Sequence, residues 1–453
     1  MPTPNLSRRQ FAKVAAAVAA ASAVYSLIPR RVLGANEKVN VACIGVGGHG
    51  GRDVQWVAGT GMANIVALCD VDMDSKRTQG SRAKCPKAKL YQDFRRMFDE
   101  MGDQIDAVII STPPHSHFPA AMLAMSLGKH IYVEKPLAHT FQEVELLMAA
   151  EKKYGVAAQM GNQGHSGANY FQFKSWTEAG IIKDVTHVDA YMNDSRPWHG
   201  WKFTDYQTGE TCPKTLDWDL WLGTAQDKPF SKYLHPGNWR GWHDFGAGAL
   251  GALGAHTLDT IHEFLDLGLP TSIEAVHRDG AKNLIFPVAS TIRFQFPERG
   301  EMPPMDITWY DGKKNRPPRP KELEKGRKIE SCGKIIYSKE LVFKGTTNGS
   351  TIRIIPEAKM KDMKDEVPRI RGKHSDHMAN LLLAAKGQEK TRSNFAVSGP
   401  LTQVLLLGVL AQRLGETLQF DRETKQITNH AVANHLLAGP PPRKGWEEFY
   451  KLA

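Results

Sequence analysis

Short apolar runs punctuate the first third of the chain, at Val39–Ile44 and at residues 64–69, 107–111, 130–133 and 156–160. Most are apolar at consecutive rather than alternate positions, the pattern of strands covered on both faces, as in a parallel sheet. Between them lie stretches of helical period: residues 51–58, Phe94–Met101, residues 118–127 and Phe141–Tyr154. This alternation predicts a doubly wound α/β domain whose strands point their carboxyl ends to one edge, where ligands collect.

Beyond residue 162 the pattern changes. A helical stretch to residue 179 leads into Val185–Met192, which reads as a strand. An aromatic region follows, holding six of the ten tryptophans: Trp198, Trp201, Trp218, Trp221, Trp239 and Trp242. Residues 272–276, Ala289–Phe296, residues 305–310 and 352–355 read as strands of an open, mostly antiparallel sheet. Residues 216–223 alternate apolar and acidic, and read as a structural edge. Residues 375–386 and 400–414 read as helices, the second with Ser398 as its cap and Gly415 as its stop. The chain therefore divides into a segment 1–35, a domain 36–162 and a second α/β (α+β) domain 163–453. The second domain contains a basic proline-rich loop at 311–335 and helices at 373–415 that pack back.

The first run feeds directly into Gly45-Val46-Gly47-Gly48-His49-Gly50. Strand, glycine turn and helix are the order of a dinucleotide-binding βαβ unit. Gly45 makes the tight turn, Gly47 lets a pyrophosphate approach the backbone, and Gly50 lets helix and strand pack closely. The helix N-terminus offers free N–H groups to phosphate. Asp70 ends the second run, 20 residues past Gly50, the spacing at which a carboxylate meets the adenosine ribose. This favours NAD over NADP, since a 2′-phosphate would be repelled and Val71, not an arginine, adjoins it. Asp70, Asp72 and Asp74 mimic the start of a calcium loop, but Ser75 and Ser81 stand where that loop needs glycine and glutamate. Glu134-Lys135-Pro136 follows the run at 130–133, on the same predicted edge. A lysine there can touch the nicotinamide ribose and a substrate hydroxyl, and can tune proton transfer.

At 453 residues the chain is long enough for two substantial cores. Its net charge of +10 suggests a polyanion partner until the charge is located. Arg8, Arg9, Lys13, Arg30 and Arg31 lie in the first 35 residues, which hold no acid; without them the excess falls to +5. Much of the rest sits in the loop near residues 313–328, without interleaved aromatics, so nucleic acid is not implied. Ser7-Arg8-Arg9-Gln10-Phe11-Ala12-Lys13 precedes an alanine-rich run to Ile28, which resembles a twin-arginine export signal. The run is too short to span a membrane, and no other stretch reads as a span. Cleavage near Ala35 is expected, but Leu33 is an imperfect match to the small-residue rule, so an uncleaved or lipid-proximal form stays open. Either way the expected location is the periplasm or cell envelope. Cys43, Cys69, Cys85, Cys212 and Cys332 show neither a disulfide framework nor metal spacing.

Three motifs stand in the order and spacing of the Gfo/Idh/MocA oxidoreductases: residues 45–50, Thr112-Pro113-Pro114-His115-Ser116-His117, and Glu134-Lys135-Pro136-Leu137. Nearly the whole chain after the export segment resembles that family, which includes glucose-fructose oxidoreductase and inositol dehydrogenase. The resemblance implies an N-terminal Rossmann domain and a C-terminal α/β domain whose open sheet covers the active site and mediates oligomer contacts. It implies NAD(P) on Gly45, Gly47, Gly50 and Asp70, with Thr112, His117, Glu134 and Lys135 lining the nicotinamide side, and no metal. His115, His199, His235 and His243 likewise show no metal-type spacing. A glycine-rich segment at 246–259 matches a fourth family pattern in part. His256 corresponds to the family's catalytic histidine, but Ala252 occupies the place of the aspartate that usually assists it. Asp259, three residues on, is then the candidate orienter. Tyr191 and Asn193 fall where family members contact substrate, and Trp239 and Arg240 just precede the histidine segment. Trp198, Trp239 and Trp242 are candidate stacking faces for a sugar ring, with a core role the competing explanation.

Together these features predict an exported NAD(H)-dependent oxidoreductase acting on a carbohydrate or cyclitol, with Lys135 and His256 as acid–base groups. Free NAD is scarce outside the cytoplasm and a twin-arginine route carries folded cargo, so a tightly bound, internally regenerated cofactor is expected. A redox-neutral alternative is an NAD-dependent glycoside hydrolase or lyase that works by transient sugar oxidation and elimination. A third is a non-catalytic binding protein of the same fold, for which Ala252 speaks. The expected partners are a sugar or cyclitol, the twin-arginine export machinery and further copies of the chain in a homo-oligomer.

Overall fold

The computed structural model describes residue 34 and residues 37–347, 349–370 and 372–452. The arginine pair and the apolar run of the export segment lie outside the described residues.

The first domain is a six-stranded parallel sheet: β1 (Val39–Ile44), β2 (Ala63–Cys69), β3 (Lys89–Tyr91), β4 (Ala107–Ile110), β5 (His130–Glu134) and β6 (Ala158–Gly161). Its order is β3-β2-β1-β4-β5-β6, the doubly wound arrangement. In register, Ile44 faces Cys69 and Ile110, Ile110 faces Val133, and Glu134 faces Gly161. The strands therefore end together, and the residues just past them, Gly45, Asp70, Thr112 and Lys135, share one edge. Helix Phe141–Tyr154 carries a capping box between Thr140 and Glu143 and stops at left-handed Gly155.

The second sheet has nine strands: β7 (Val185–Met192), β8 (Ser272–Asp279), β9 (Ala289–Phe296), β10 (Met305–Asp311), β11 (Cys332–Ser338), β12 (Val342–Gly345), β13 (Arg353–Ile355), β14 (Thr417–Asp421) and β15 (Gln426–Ile427). The order is β13-β12-β11-β7-β10-β9-β8-β14-β15, antiparallel except where β7 lies parallel to β10. Helix Gly248–Thr257 and the 20-residue helix Phe395–Leu414 pack between this sheet and the first domain. Small residues permit the close approach: a Cβ on Gly254 would lie 2.4 Å from Leu405, and one on Gly408 would lie 2.5 Å from Phe294.

Several expectations change. Asn394, not Ser398, caps the long helix by accepting from the Val397 N–H; Ser398 lies inside and donates back to the Asn394 carbonyl. By length and composition this helix is apolar enough to span a membrane, but 83% of its most apolar window is buried within the fold. Residues 216–223 form a short helix, Trp218–Leu222, capped by Asp217, instead of an edge. The final residues of the basic loop begin β11.

Candidate active site

The glycine turn is built as its sequence requires. Gly45 has φ +78°, and a Cβ there would lie 2.8 Å from the Thr112 N atom. A Cβ on Gly50 would overlap the Gly45 carbonyl oxygen at 1.7 Å. Gly48, outside the three-glycine pattern, also takes positive φ. Asp70 stands at the end of β2 and turns one carboxylate oxygen onto this loop. Its Oδ2 accepts from the Val46 and Gly47 N–H groups at 2.9 and 3.0 Å, and its Oδ1 accepts from the Asp72 N–H. Burial pushes Asp70 above its ordinary range, against the pull of those three amides. Asp72 and Asp74 diverge to His235 and Arg82, so the three acids do not gather around an ion.

A cleft runs from this loop to the second domain, lined by Gly45, Gly47, Asp70, Thr112, Glu134 and Lys135 on one side and by Trp239, Arg240, Ala247 and Ala252 on the other. These residues fit a dinucleotide: the Arg77 guanidinium lies beside the turn where phosphates would approach, and the buried Thr112 Oγ1 has no hydrogen-bond partner.

Lys135 donates from Nζ to the Ala252 carbonyl at 2.6 Å. Burial lowers its proton affinity; Glu134 opposes this, while the charges of Arg240 and Arg196 add to it. Glu134 is buried, and contact with His49 and Lys135 overcomes its desolvation to keep it ionised. His256 comes from helix Gly248–Thr257 and is pushed down to about 3, chiefly by burial and then by Lys135. Its Nδ1 is buried with no partner. Alanine at position 252, one turn earlier on the same helix, offers that nitrogen no carboxylate.

Asp259 does not repair the loss. The helix breaks after Thr257, and Asp259 opens a new one. Its Oδ1 accepts from the Thr260 N–H and its Oδ2 lies 3.7 Å from His165 Nδ1. His165 Nε2 approaches Glu263 at 2.8 Å, an ion pair whose angle falls short of a directed hydrogen bond. Burial alone would lower His165, but the two carboxylates raise it to about 9.

Three further candidates lie away from the cleft. His117 is buried and its ring nitrogens contact the Pro136 and Thr112 carbonyls at 3.0 and 2.8 Å, so it fixes the two loops that line the cleft rather than lining it. Tyr191 is wholly buried on the other face of β7, among Leu323, Ile335, Val342 and Ile355. Alternation along the strand sends it there. Asn193 donates to the Gly312 and Asn315 carbonyls and anchors the basic loop. Of the proposed stacking faces, Trp198 and Trp242 are core, whereas Trp239 lines the cleft with the Arg240 guanidinium 4.1 Å above its ring.

Sequence patterns did not single out His49, Asp53, Arg77, Arg196 or His165. His49 lies 3.4 Å from Glu134 and 3.9 Å from Asp53; its spacing of four from Asp53 on one helix was the available signal. Arg77 covers Gly47 and Gly48. Arg196 has buried Nε and Nη2 atoms without partners, and only the folding of the segment after β7 brings its charge near Lys135.

Residues 39–162 match the oxidoreductase family with NAD-binding Rossmann fold (Gfo/Idh/MocA), and residues 183–285 match that family's C-terminal alpha/beta domain, together about half of the chain. A glycosyl hydrolase family 109 protein of Solibacter usitatus is 31% identical over 168 residues, 35% of this chain and 38% of that protein. An alpha-N-acetylgalactosaminidase of Shewanella oneidensis is 29% identical over 248 residues, 49% and 52% of the two chains. The chain thus spans about half or less of the length of these curated relatives. Among solved structures, the fold is similar to the WlbA dehydrogenase from Chromobactrium violaceum in complex with NADH and UDP-GlcNAcA. There the TM-score is 0.60 at 16% identity, covering 87% of this chain and 99% of that one. An aldose-aldose oxidoreductase from Caulobacter crescentus gives a TM-score of 0.55 at 15% identity, covering 85% and 100%. With both of the family's domains present in order, and the glycine turn and Lys135 meeting the second domain at one cleft, the chain belongs to the Gfo/Idh/MocA oxidoreductase family.

Proposed function

We propose that the protein oxidises a carbohydrate or cyclitol hydroxyl at this cleft, using NAD that it holds tightly. The observation that carries this reading is Lys135, a half-buried amine of lowered proton affinity held between the dinucleotide turn and the Ala252 carbonyl. When bound, the nicotinamide supplies the hydride acceptor. Lys135 is then the group that takes the hydroxyl proton as the hydride departs, and neutral His256 is the second acceptor. Trp239 and Arg240 offer a ring face and a donor set to the sugar. Asp70 supports NAD over NADP, because its half-buried carboxylate lies on the cleft where a 2′-phosphate would approach. The arginine pair at Arg8 and Arg9 supports export by the twin-arginine route, with the cofactor carried inside the folded chain.

A second reading is favoured by the glycosidase names of the curated relatives. In it the hydride leaves a ring carbon, a base takes the proton from the adjacent carbon, and the glycosidic leaving group departs. Water then adds and the hydride returns, so no net oxidation results. Purified protein incubated with free sugars, cyclitols and chromogenic glycosides separates the two. Net formation of reduced nicotinamide supports the first; aglycone release without it supports the second. NAD-loaded protein that does neither with any of these compounds refutes both.

A further inference from the structure

Beside the glycine turn, three metal-ligating side chains converge outside the proton-transfer pair. His49 and Asp53 stand one helical turn apart on helix His49–Gly59, and Glu134 ends β5. The His49 Nε2, Asp53 Oδ1 and Glu134 Oε1 atoms all lie within 4.8 Å of one another. Two ligands bound about 2.1 Å from one ion at the tetrahedral angle sit about 3.4 Å apart. The His49–Glu134 separation is 3.4 Å, and the His49–Asp53 separation of 3.9 Å needs only a small rotation to match.

The hydrogen bonding around these atoms is lopsided. Asp53 Oδ2 accepts from Ser111 Oγ at 2.6 Å, and Glu134 Oε1 accepts from Gln163 Nε2 at 2.6 Å and from the Tyr132 hydroxyl at 3.2 Å. Glu134 Oε2 accepts the Lys135 N–H. Yet Asp53 Oδ1, on a side chain with no exposure at all, has no hydrogen-bond donor, and the buried His49 Nε2 makes ion-pair contacts with Glu134 and Asp53 but no hydrogen bond. A buried carboxylate oxygen is seldom left bare, and here it faces a ring nitrogen too distant for a hydrogen bond. The outer contacts from Ser111, Tyr132 and Gln163 are of the kind that orient carboxylates around a metal.

We propose that His49, Asp53 and Glu134 bind a divalent cation of the zinc class. One imidazole and two carboxylates balance a double charge and suit a borderline ion; calcium and magnesium require a larger, all-oxygen set. His49 and Glu134 line the cleft, so a water or a cofactor oxygen completes the shell from that side. A protonated His49 bridging two carboxylates is the competing arrangement, and it needs no metal.

The test uses the full chain, stripped with a chelator and titrated with Co²⁺ and then Zn²⁺. The expected result is a single equivalent of Co²⁺ with the visible absorption of a four- or five-coordinate ion, displaced by Zn²⁺. Asp53→Asn and His49→Ala, each checked for folding by circular dichroism, should weaken binding by about 10-fold or more. Three results each overturn the proposal: no uptake above background, uptake undiminished in both variants, or an His49 imidazole that NMR shows still protonated in excess Zn²⁺. Metal content and the cobalt spectrum do not depend on turnover, so this proposal and the hydride-transfer reading stand or fall separately.

Discussion

The His165 ion-pair cluster is a buried, pH-sensitive contact, and its effect on stability can be worked out. The imidazole is raised from 6.5 to about 9 by Asp259 and Glu263. A cation whose folded proton affinity exceeds its unfolded one stabilises the fold fully below pH 6.5 and loses that contribution as pH climbs through 9. At 1.36 kcal/mol per unit the full contribution is about 3 kcal/mol. The lowered value of Asp259 reflects the same contact and is not added to it. Between pH 7 and pH 9.5 most of it, about 2 kcal/mol, is lost. His165→Gln removes the titrating imidazole. The urea midpoints of the two proteins, converted with a common slope, should therefore differ most at pH 7 and converge by about 2 kcal/mol as pH reaches 9.5. A stability gap that stays constant across this range would show that His165 is neutral in the fold, and the ion-pair argument would fail.

Lys135→Ala should lower turnover by about 10²-fold or more while bound nucleotide is retained; full turnover would remove Lys135 from proton transfer. Ala252→Asp restores a carboxylate one helical turn before His256 and should raise that imidazole from about 3 toward 6.5, read by NMR titration; an unmoved resonance would mean that the missing carboxylate is not what leaves Nδ1 bare. Gly50→Ala should cost the protein its retained nucleotide and lower its Tm, since the new Cβ meets the Gly45 carbonyl at 1.7 Å; normal nucleotide content would refute the close-packing role. Gly254→Val should destabilise by about 1–3 kcal/mol through overpacking against Leu405, measured by urea unfolding; an unchanged midpoint would show that the interface has slack.

The Rossmann half was legible because its strands are short, apolar on both faces and punctuated by glycine. That combination leaves few alternatives to a covered parallel sheet. Four strands of the second sheet, β11, β12, β14 and β15, and the short edge strand β3 of the first left no comparable trace. In β14 and β15 exposed threonine and glutamine alternate with buried apolar residues, and in β11 a buried lysine interrupts the apolar run, so the signal is weak in each. The site was legible where chemistry sits in a local motif. Glycine turn, Asp70 and Lys135 are each fixed by a strand end. Tyr191 was misassigned because one residue along a strand decides the face. Asp259 was misassigned because helical spacing from His256 assumes a continuous helix, and the chain breaks between them. His165 and Arg196 owe their environment to residues far away in sequence, and no local pattern encodes such pairings.

The account turns on a cofactor held by the glycine turn. Acid release of nucleotide from the purified, folded protein, followed by its identification and quantification, tests this directly. The account predicts about one NAD per chain, with NADP a minor species or absent. Protein that carries no nucleotide and takes up none when NAD is supplied would contradict it.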